Sequence, residues 1–388
     1  MPLTDQTQPS QPVTLIANPY SVHVARWRKM YDLLGLDYRV VTAEPRQAAP
    51  LHAPIQFLAP RWLVRPALLR YLWAGLSARW LLRREPTVHA HCASGSGFVA
   101  WLSGRPYIVT TYGTEVFGAR ERGRLYRWMI ARVVRNAALL TATTPRMAQV
   151  LHEEFGVPLA RIRTFSLGID TDQFHPVAPA TRATLRREEG LPADEPCWVI
   201  NRRSLPLYRT GEVISGFQRY CDTHPHGRLV VLSGDQDPVY SRQLRELVAA
   251  SPHSGRVQFV DEFLAPPQVA RWLQRADFAI SVPRTDQLST SILEALGCGA
   301  VPILADLPAY APLHACPGIV RASDCTPAGF QDVFTSTAGW ESRLLEARRA
   351  ACVTFVQEHY SERVFLPDVA ALYHTIGSAG PEGRRRAA

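Results

Sequence analysis

Between Ser281 and Tyr310 the chain reads SVPRTDQLSTSILEALGCGAVPILADLPAY. Two carboxylates, Asp286 and Glu294, stand in a D-x7-E spacing, with the hydroxyl residues Ser289, Thr290 and Ser291 between them. The pattern predicts a strand, a polar loop and a helix start, then Gly-Cys-Gly and a second buried strand. A loop entering a helix presents unpaired backbone N–H groups and the positive end of the helix dipole, a setting suited to phosphate. A carboxylate early in that helix can hold a pair of sugar hydroxyls. One short segment could thus grip both ends of a nucleotide sugar. Ser291-x-x-Glu294 also fits a capping box, in which both residues serve only the helix end.

Alternating strands and helices are expected on both sides of this segment. VTLIA (13–17), DYRVVT (37–42), TVHAHC (87–92), PYIVTTYG (106–113) and ALLTATT (138–144) read as strands, with a short extended piece from Gln56. Helical periodicity covers 20–34, 66–84, 121–136 and the stretch after Pro145. A second set follows, with strands at 197–203, 228–235, 257–263, 278–283 and 301–306. Its helices are expected at 211–221, 240–250, 267–275 and 291–297, and a last one at 361–375. Repeated alternation of this kind implies two doubly wound parallel sheets, an α/β protein. Ligands bind such sheets at the carboxyl ends of the strands, so a cleft facing both sheets is the expected site.

The expected organisation is a lead-in over residues 1–12, a first Rossmann-like domain over 13–175 and a second over 176–360. A C-terminal helix at 361–376, packing back on the first domain, and a tail at 377–388 complete it. The segment 166–183, SLGIDTDQFHPVAPATRA, lacks periodicity and reads as the linker. The lead-in is polar and has no apolar core, so it does not read as a signal peptide.

A hydrophobic content of 46% in 388 residues predicts substantial cores. No apolar run is long enough to cross a bilayer. The seven cysteines form no C-x-x-C pair, which points away from a disulfide framework or a zinc knuckle and toward a reducing cytoplasm. The net charge is +9 and Lys29 is the only lysine. An excess of arginine suits anionic partners, since guanidinium pairs with phosphate in a bidentate fork. No His/Cys cluster, Walker A or G-x-G-x-x-G is visible, and neither metal nor cofactor is expected.

The order of motifs resembles the retaining GT-B glycosyltransferases of glycosyltransferase family 4. VHAH (88–91) is similar to the family's D-V-V-H-x-H strand end, and TYGTEV (111–116) to its H-G-x-D turn. SLGIDTDQFHP (166–176) is similar to N-G-V-D-x-x-x-F-x-P. DQLSTSILEALGCGAVPI (286–303) is similar to E-x7-E followed by E-A-x-A-x-G-x-P-V. RRSLPLY (202–208) resembles a V-R-x-L-x-P-x-Y variant. The chain departs from the family in Asp286 for Glu, Tyr112 for His, Glu115 for Asp, and in lacking a Gly-Gly loop after the first strand.

The resemblance implies transfer of a sugar from a nucleoside-diphosphate sugar to a hydroxyl of a saccharide or lipid-linked acceptor, in surface polysaccharide or glycoconjugate synthesis. Donor binding then falls to Arg203, Arg209, Gln287, Leu288, Ser289, Thr290, Ser291 and Glu294. Asp286, His91 and Tyr112 take the catalytic positions; Tyr20, Ser21, His23 and Glu115 face the acceptor. The leaving phosphate itself takes the acceptor proton, so no dedicated protein base is implied. Two alternatives stay open: a GT-B sugar-nucleotide epimerase, and a degenerate homologue that binds without turnover.

Residues 61–84, bounded by Arg61 and Arg84, carry six arginines, three tryptophans and no acidic residue. Residues 120–135, bounded by Arg120 and Arg135, add Arg122, Arg124, Arg127, Arg132, Tyr126 and Trp128. Aromatic and basic side chains together suit an anionic membrane surface, here the inner face of the membrane. An ordinary amphipathic helix with its apolar stripe on the sheet and its arginines in water fits the same letters. Nucleic acid is not expected, because no recognition motif accompanies the charge.

Overall fold

The computed structural model describes residues 12–47, 55–234, 236–286 and 288–377. The expected lead-in and tail lie almost wholly outside these residues, as does Gln287. The chain divides into two compact units, one running to Leu167 and resuming at Phe365, the other spanning Gly168–Val364.

The first unit holds strands β1 (Val13–Ile16), β2 (Tyr38–Thr42), β3 (Ile55–Phe57), β4 (Val88–His91), β5 (Tyr107–Thr110), β6 (Leu139–Ala142) and β7 (Ile162–Thr164). They form one parallel sheet in the order β3-β2-β1-β4-β5-β6-β7. β1, β4, β5 and β6 are buried along their whole length, as parallel strands covered by helices on both faces must be. The helices are α1 (Val22–Leu34), α2 (Ala67–Leu81), α3 (Gly95–Ser103), α4 (Thr114–Phe117), α5 (Arg124–Asn136) and α6 (Pro145–Phe155). Trp27, Met30 and Tyr31 of α1 share one core layer with Val369 and Leu372 from the far end of the chain. Ala74 and Ala78 of α2, Val99 of α3 and Ile130 and Val133 of α5 fill another.

α2 reverses the usual amphipathic arrangement. Its buried residues are Arg70, Ala74, Gly75 and Ala78, while Leu68, Leu72, Trp73, Leu76 and Trp80 are exposed. Gly75 explains the choice: a Cβ there would lie 2.5 Å from Leu102 Cδ1, so only a hydrogen lets α2 seat on α3. The sequence alternative of an apolar stripe turned to the sheet is therefore corrected. The helix seats through its small residues, and the large apolar ones face outward.

The second unit holds α7 (Pro179–Glu188), β8 (Cys197–Ile200), α8 (Thr210–Cys221), β9 (Arg228–Leu232), α9 (Pro238–Ala249), β10 (Val257–Val260) and α10 (Pro266–Arg275). β11 (Phe278–Ser281), α11 (Thr290–Gly297), β12 (Val301–Ala305), β13 (Val320–Ala322), α12 (Pro327–Ala338) and α13 (Ser342–His359) follow. The parallel order is β10-β9-β8-β11-β12-β13. The last helix, α14 (Glu362–Gly377), leads from this unit into the first.

Proline sets many of these starts. α6, α7, α9, α10 and α12 each carry it at the opening of the helix, where its missing N–H costs nothing. Three of them add a side-chain cap, from Thr144, Asp237 and Thr326. The expected aperiodic linker at 166–183 is shorter for the same reason, because α7 begins at Pro179.

Part of the arginine surplus is structural. Arg186 pairs with Asp277 at 2.6 Å and Arg349 donates to the Ala276 carbonyl at 2.7 Å, all three charged groups buried. Arg275 donates to the Leu185 carbonyl at 2.8 Å. A guanidinium offers several donors in a fixed fork, so it can satisfy carbonyls at the end of a sheet while neutralising a buried carboxylate.

Candidate functional site

In each sheet the strand order reverses once, between β1 and β4 in the first unit and between β8 and β11 in the second. Chemistry-bearing residues gather at the carboxyl ends of those four strands, where a crevice opens in doubly wound folds.

In the second unit Asn201 and Arg202 follow β8, and Asp286 lies in the loop between β11 and α11. Arg202 Nη2 lies 2.9 Å from Asp286 Oδ2, and its Nη1 donates to Ser291 Oγ at 3.0 Å. Tyr310 donates its hydroxyl to the same Asp286 oxygen at 2.7 Å. Burial, the Asp286 charge and that hydrogen bond all raise the Tyr310 pKa, so the phenol stays protonated. Asn201 Nδ2 donates to the Ser291 carbonyl at 2.8 Å, and the Ser289 and Ser291 hydroxyls lie 2.8 Å apart. Arg202 also lies over the Tyr208 ring, 4.4 Å from its centroid. A guanidinium, a carboxylate and a helix N-terminus are thus held together before any ligand arrives.

The predicted donor residues fall around this cluster. Ser289 is the N-cap of α11, Thr290 and Ser291 form its first turn, and Glu294 sits one turn on, half-buried. The capping-box reading is corrected: Ser291 lies inside the helix, and Ser289 makes no side-chain cap bond. Leu288 packs on the core of this unit. Arg203 is exposed. Arg209 adopts φ 54° and donates to the Val282 and Pro283 carbonyls at 3.2 and 3.0 Å, bracing the loop after β11. The pattern missed Arg202 as a site residue, because RRSLPLY offers two adjacent arginines and one letter of register separates them. Tyr310 and Asn201 were missed as well. Tyr310, the final residue of the opening segment, lies beyond the strand expected at 301–306 and carried no spacing signal.

In the first unit His91 ends β4 and is buried; its Nδ1 lies 3.0 Å from the Tyr112 hydroxyl. Its ring stacks on His89, centroids 4.3 Å apart, and meets Trp27 edge-on at 5.3 Å. Burial lowers the His91 pKa to about 3, and burial followed by the His91 charge lowers that of His89 well below its usual value. Both imidazoles are therefore neutral at pH 7. Tyr112 is raised well above its ordinary pKa, chiefly by burial, and serves as a hydroxyl rather than a base. His91 Nε2 and Trp27 Nε1 are buried without a hydrogen-bond partner among the described residues, which leaves two polar atoms for a bound hydroxyl.

The expected acceptor-side residues divide. His23 is exposed and stacks on Tyr112 at 4.6 Å. Ser21 is the N-cap of α1 without a side-chain bond, and the Tyr20 hydroxyl accepts the Gln47 N–H at 2.8 Å. Glu115 is buried and accepts the Tyr112 N–H at 2.8 Å, so it braces the turn carrying Tyr112. Cys92, directly after His91, has φ 92°. Among the described residues, Cys92 and Arg209 are the only non-glycines in the left-handed region, and they adjoin the two clusters.

The motif glycines have packing reasons. A Cβ on Gly297 would lie 2.7 Å from the Phe174 carbonyl, and Gly299 sits at φ +73°. α11 therefore seats directly on the 169–174 segment. Asp170, Asp172 and Glu362 bring three carboxylate oxygens within 4.8 Å of one another. Asp170 spends its Oδ1 on the Asp172 and Gln173 N–H groups, and Asp172 pairs with Arg363, so the group serves local structure.

Two doubly wound parallel sheets with strand reversals of this kind define the GT-B class of fold. Anabaena HepE, solved with UDP and glucose, superposes with a TM-score of 0.77 at 11% identity, covering 94% of this chain and 99% of that one. Sucrose-phosphate synthase from Thermosynechococcus elongatus gives 0.75 at 17% identity over 95% and 100% of the two chains. Residues 21–173 match the sequence model of Glycosyltransferase Family 4. D-inositol 3-phosphate glycosyltransferase 2 of Catenulispora acidiphila is 26% identical over 338 residues, 76% of this chain and 75% of the relative. GDP-mannose:cellobiosyl-diphosphopolyprenol alpha-mannosyltransferase of Xanthomonas campestris is 22% identical over 66% of this chain and 65% of its own. The chain spans 37% of a third relative, mannosylfructose-phosphate synthase of Agrobacterium fabrum, at 25% identity over 43% of this chain.

Proposed function

We propose that the protein is a retaining glycosyltransferase that moves a sugar from a nucleoside-diphosphate sugar to a hydroxyl acceptor. The observation that carries this is the Arg202–Asp286–Ser291 cluster at the N-terminus of α11. As the glycosidic bond breaks, negative charge grows on the leaving diphosphate and positive charge on the sugar ring. Arg202, with the first-turn N–H groups of α11, meets the first; Asp286 meets the second. Charges fixed before the reaction need no reorganisation during it. Arg202 thus takes the role expected for Arg203, while Arg209 holds the loop and Glu294 accepts from the ribose hydroxyls. His91, neutral and with Nε2 unpaired, suits a sugar hydroxyl.

The acceptor is a saccharide or lipid-linked saccharide in surface polysaccharide or glycoconjugate synthesis, and the protein works at the inner face of the membrane. The Xanthomonas relative, named for a diphosphopolyprenol acceptor, supports the lipid-linked form. No divalent ion enters the scheme, because arginine and peptide dipoles carry the phosphate charge. The test is thermal shift with UDP, GDP and ADP, followed by nucleotide release from the matching sugar donors with and without acceptor lipid extract. Stabilisation by a diphosphate and acceptor-dependent release are expected. Isomerised donor without transfer, or no diphosphate binding at all, would overturn the reading.

A further inference from the structure

We propose that the outward face of α2, with the adjoining surface of α5, docks the protein on an anionic membrane leaflet. Trp62, Leu76 and Trp80 are 75%, 68% and 66% exposed. On α5, Leu125 and Trp128 are also exposed. Single exposed apolar residues are ordinary, but a contiguous aromatic and aliphatic face is not. Nothing in the packing of the sheet demands it, since α2 seats through Ala74, Gly75 and Ala78.

The two helices present one surface. α2 and α5 flank α3 on the same core layer, and Trp101 of α3 meets Trp128 of α5 edge-on at 6.2 Å. Arginines rim the apolar face, among them Arg61, Arg65, Arg83 and Arg84, and residues 61–84 contain no carboxylate. Arg83 lies over Trp80 at 4.9 Å and Arg132 over Trp128 at 5.6 Å. Beside the rim a cavity of about 260 Å³ opens between α5 and α6, lined by Arg124, Arg127, Trp128, Arg135 and Glu154. Tryptophan and leucine enter the headgroup boundary while arginine meets lipid phosphate, which is the chemistry of an interfacial helix. A second copy of this face would bring like-charged rims together, so the complementary partner is negative and apolar at once. An anionic bilayer is both.

The proposal rests on the glycosyltransfer reading only for its purpose, bringing the site to a lipid-linked acceptor. Its test is independent: co-sedimentation of the full chain with phosphatidylcholine vesicles and with 3:1 phosphatidylcholine:phosphatidylglycerol vesicles, at low and high salt. Partitioning into the anionic vesicles that weakens with salt is expected. Trp73→Ser with Leu76→Ser and Trp80→Ser should reduce it about tenfold or more, and Arg83→Gln with Arg84→Gln should reduce it severalfold. Nucleotide-induced thermal shift, read on the same samples, should be unchanged in both variants, which separates this proposal from the reading of the site. Equal binding to neutral vesicles, unaltered binding by both variants, or a dimer that the triple variant dissolves would overturn it. The last outcome would make the face an interface between copies.

Discussion

Arg202 and Asp286 are mutual partners, Nη2 to Oδ2 at 2.9 Å, with side chains only 7% and 16% exposed. Each strand end contributes one member, so the pair ties β8 to the loop after β11 as well as marking the site. Removing the carboxylate therefore does two things. Asp286→Ala leaves a mostly buried guanidinium unbalanced, at a cost of about 3 kcal/mol. Asp286→Asn keeps an acceptor and should cost about 1 kcal/mol. Denaturant unfolding of both variants checks the difference, and nucleotide release by Asp286→Asn should still fall sharply.

Tyr310→Phe removes one of the two donors that Asp286 has among the described residues, with little change in volume. Stability should drop by about 1 kcal/mol, and turnover should fall while donor affinity, read by nucleotide-induced thermal shift, stays close to that of the parent. Equal losses in both would place Tyr310 in donor binding instead.

Stability should decline in mild acid because of His89 and His91. Both are neutral in the fold, with His91 near 3 against an ordinary 6.5. Below pH 6.5 the unfolded chain binds more protons than the folded one, so each histidine lowers stability as pH falls toward its folded value. The slope reaches about 1.4 kcal/mol per pH unit per histidine. Melting temperatures from pH 4.5 to 7.5 should show it, and His91→Gln should flatten the curve.

Gly297→Ala should destabilise the second unit by about 2 kcal/mol or more, since the new methyl meets the Phe174 carbonyl. Gly299→Ala should cost about 1 kcal/mol, because φ +73° disfavours a side chain. Thermal unfolding of the two variants tests both values.

Activity should survive excess EDTA. A loss restored by Mg²⁺ would overturn the proposal that Arg202 and the α11 N–H groups carry the diphosphate charge.

The two-sheet architecture was legible because buried parallel strands are short apolar runs, and VTLIA, TVHAHC, CWVINRR and FAISVP are unmistakable ones. Helices α3, α12 and α13 were not foreseen. GSGFVAWLS of α3 is apolar all round apart from small residues, and α13 spreads arginine and alanine over every face, so neither carries a clean 3.6-residue rhythm. In the site, Asp286 and Ser291 could be read from spacing along one segment. Arg202 and Tyr310 could not, because their relation to Asp286 is made by sheet order, which brings β8 beside β11. The outward turn of α2 was hidden too, since composition names the residues of a helix but not which of them a neighbouring Leu102 will admit.

The placement of α14 has a consequence for biosynthesis. Val369 and Leu372 complete a core layer whose other members begin at Val13, and the Tyr373 hydroxyl lies 2.6 Å from both His89 Nδ1 and the Tyr31 oxygen. Translation delivers these groups only after the whole of the second unit. The half of the molecule that leaves the ribosome first must therefore wait, partly open, for its closing piece, and a prematurely stopped chain would carry an intact second half joined to a first half that cannot seal.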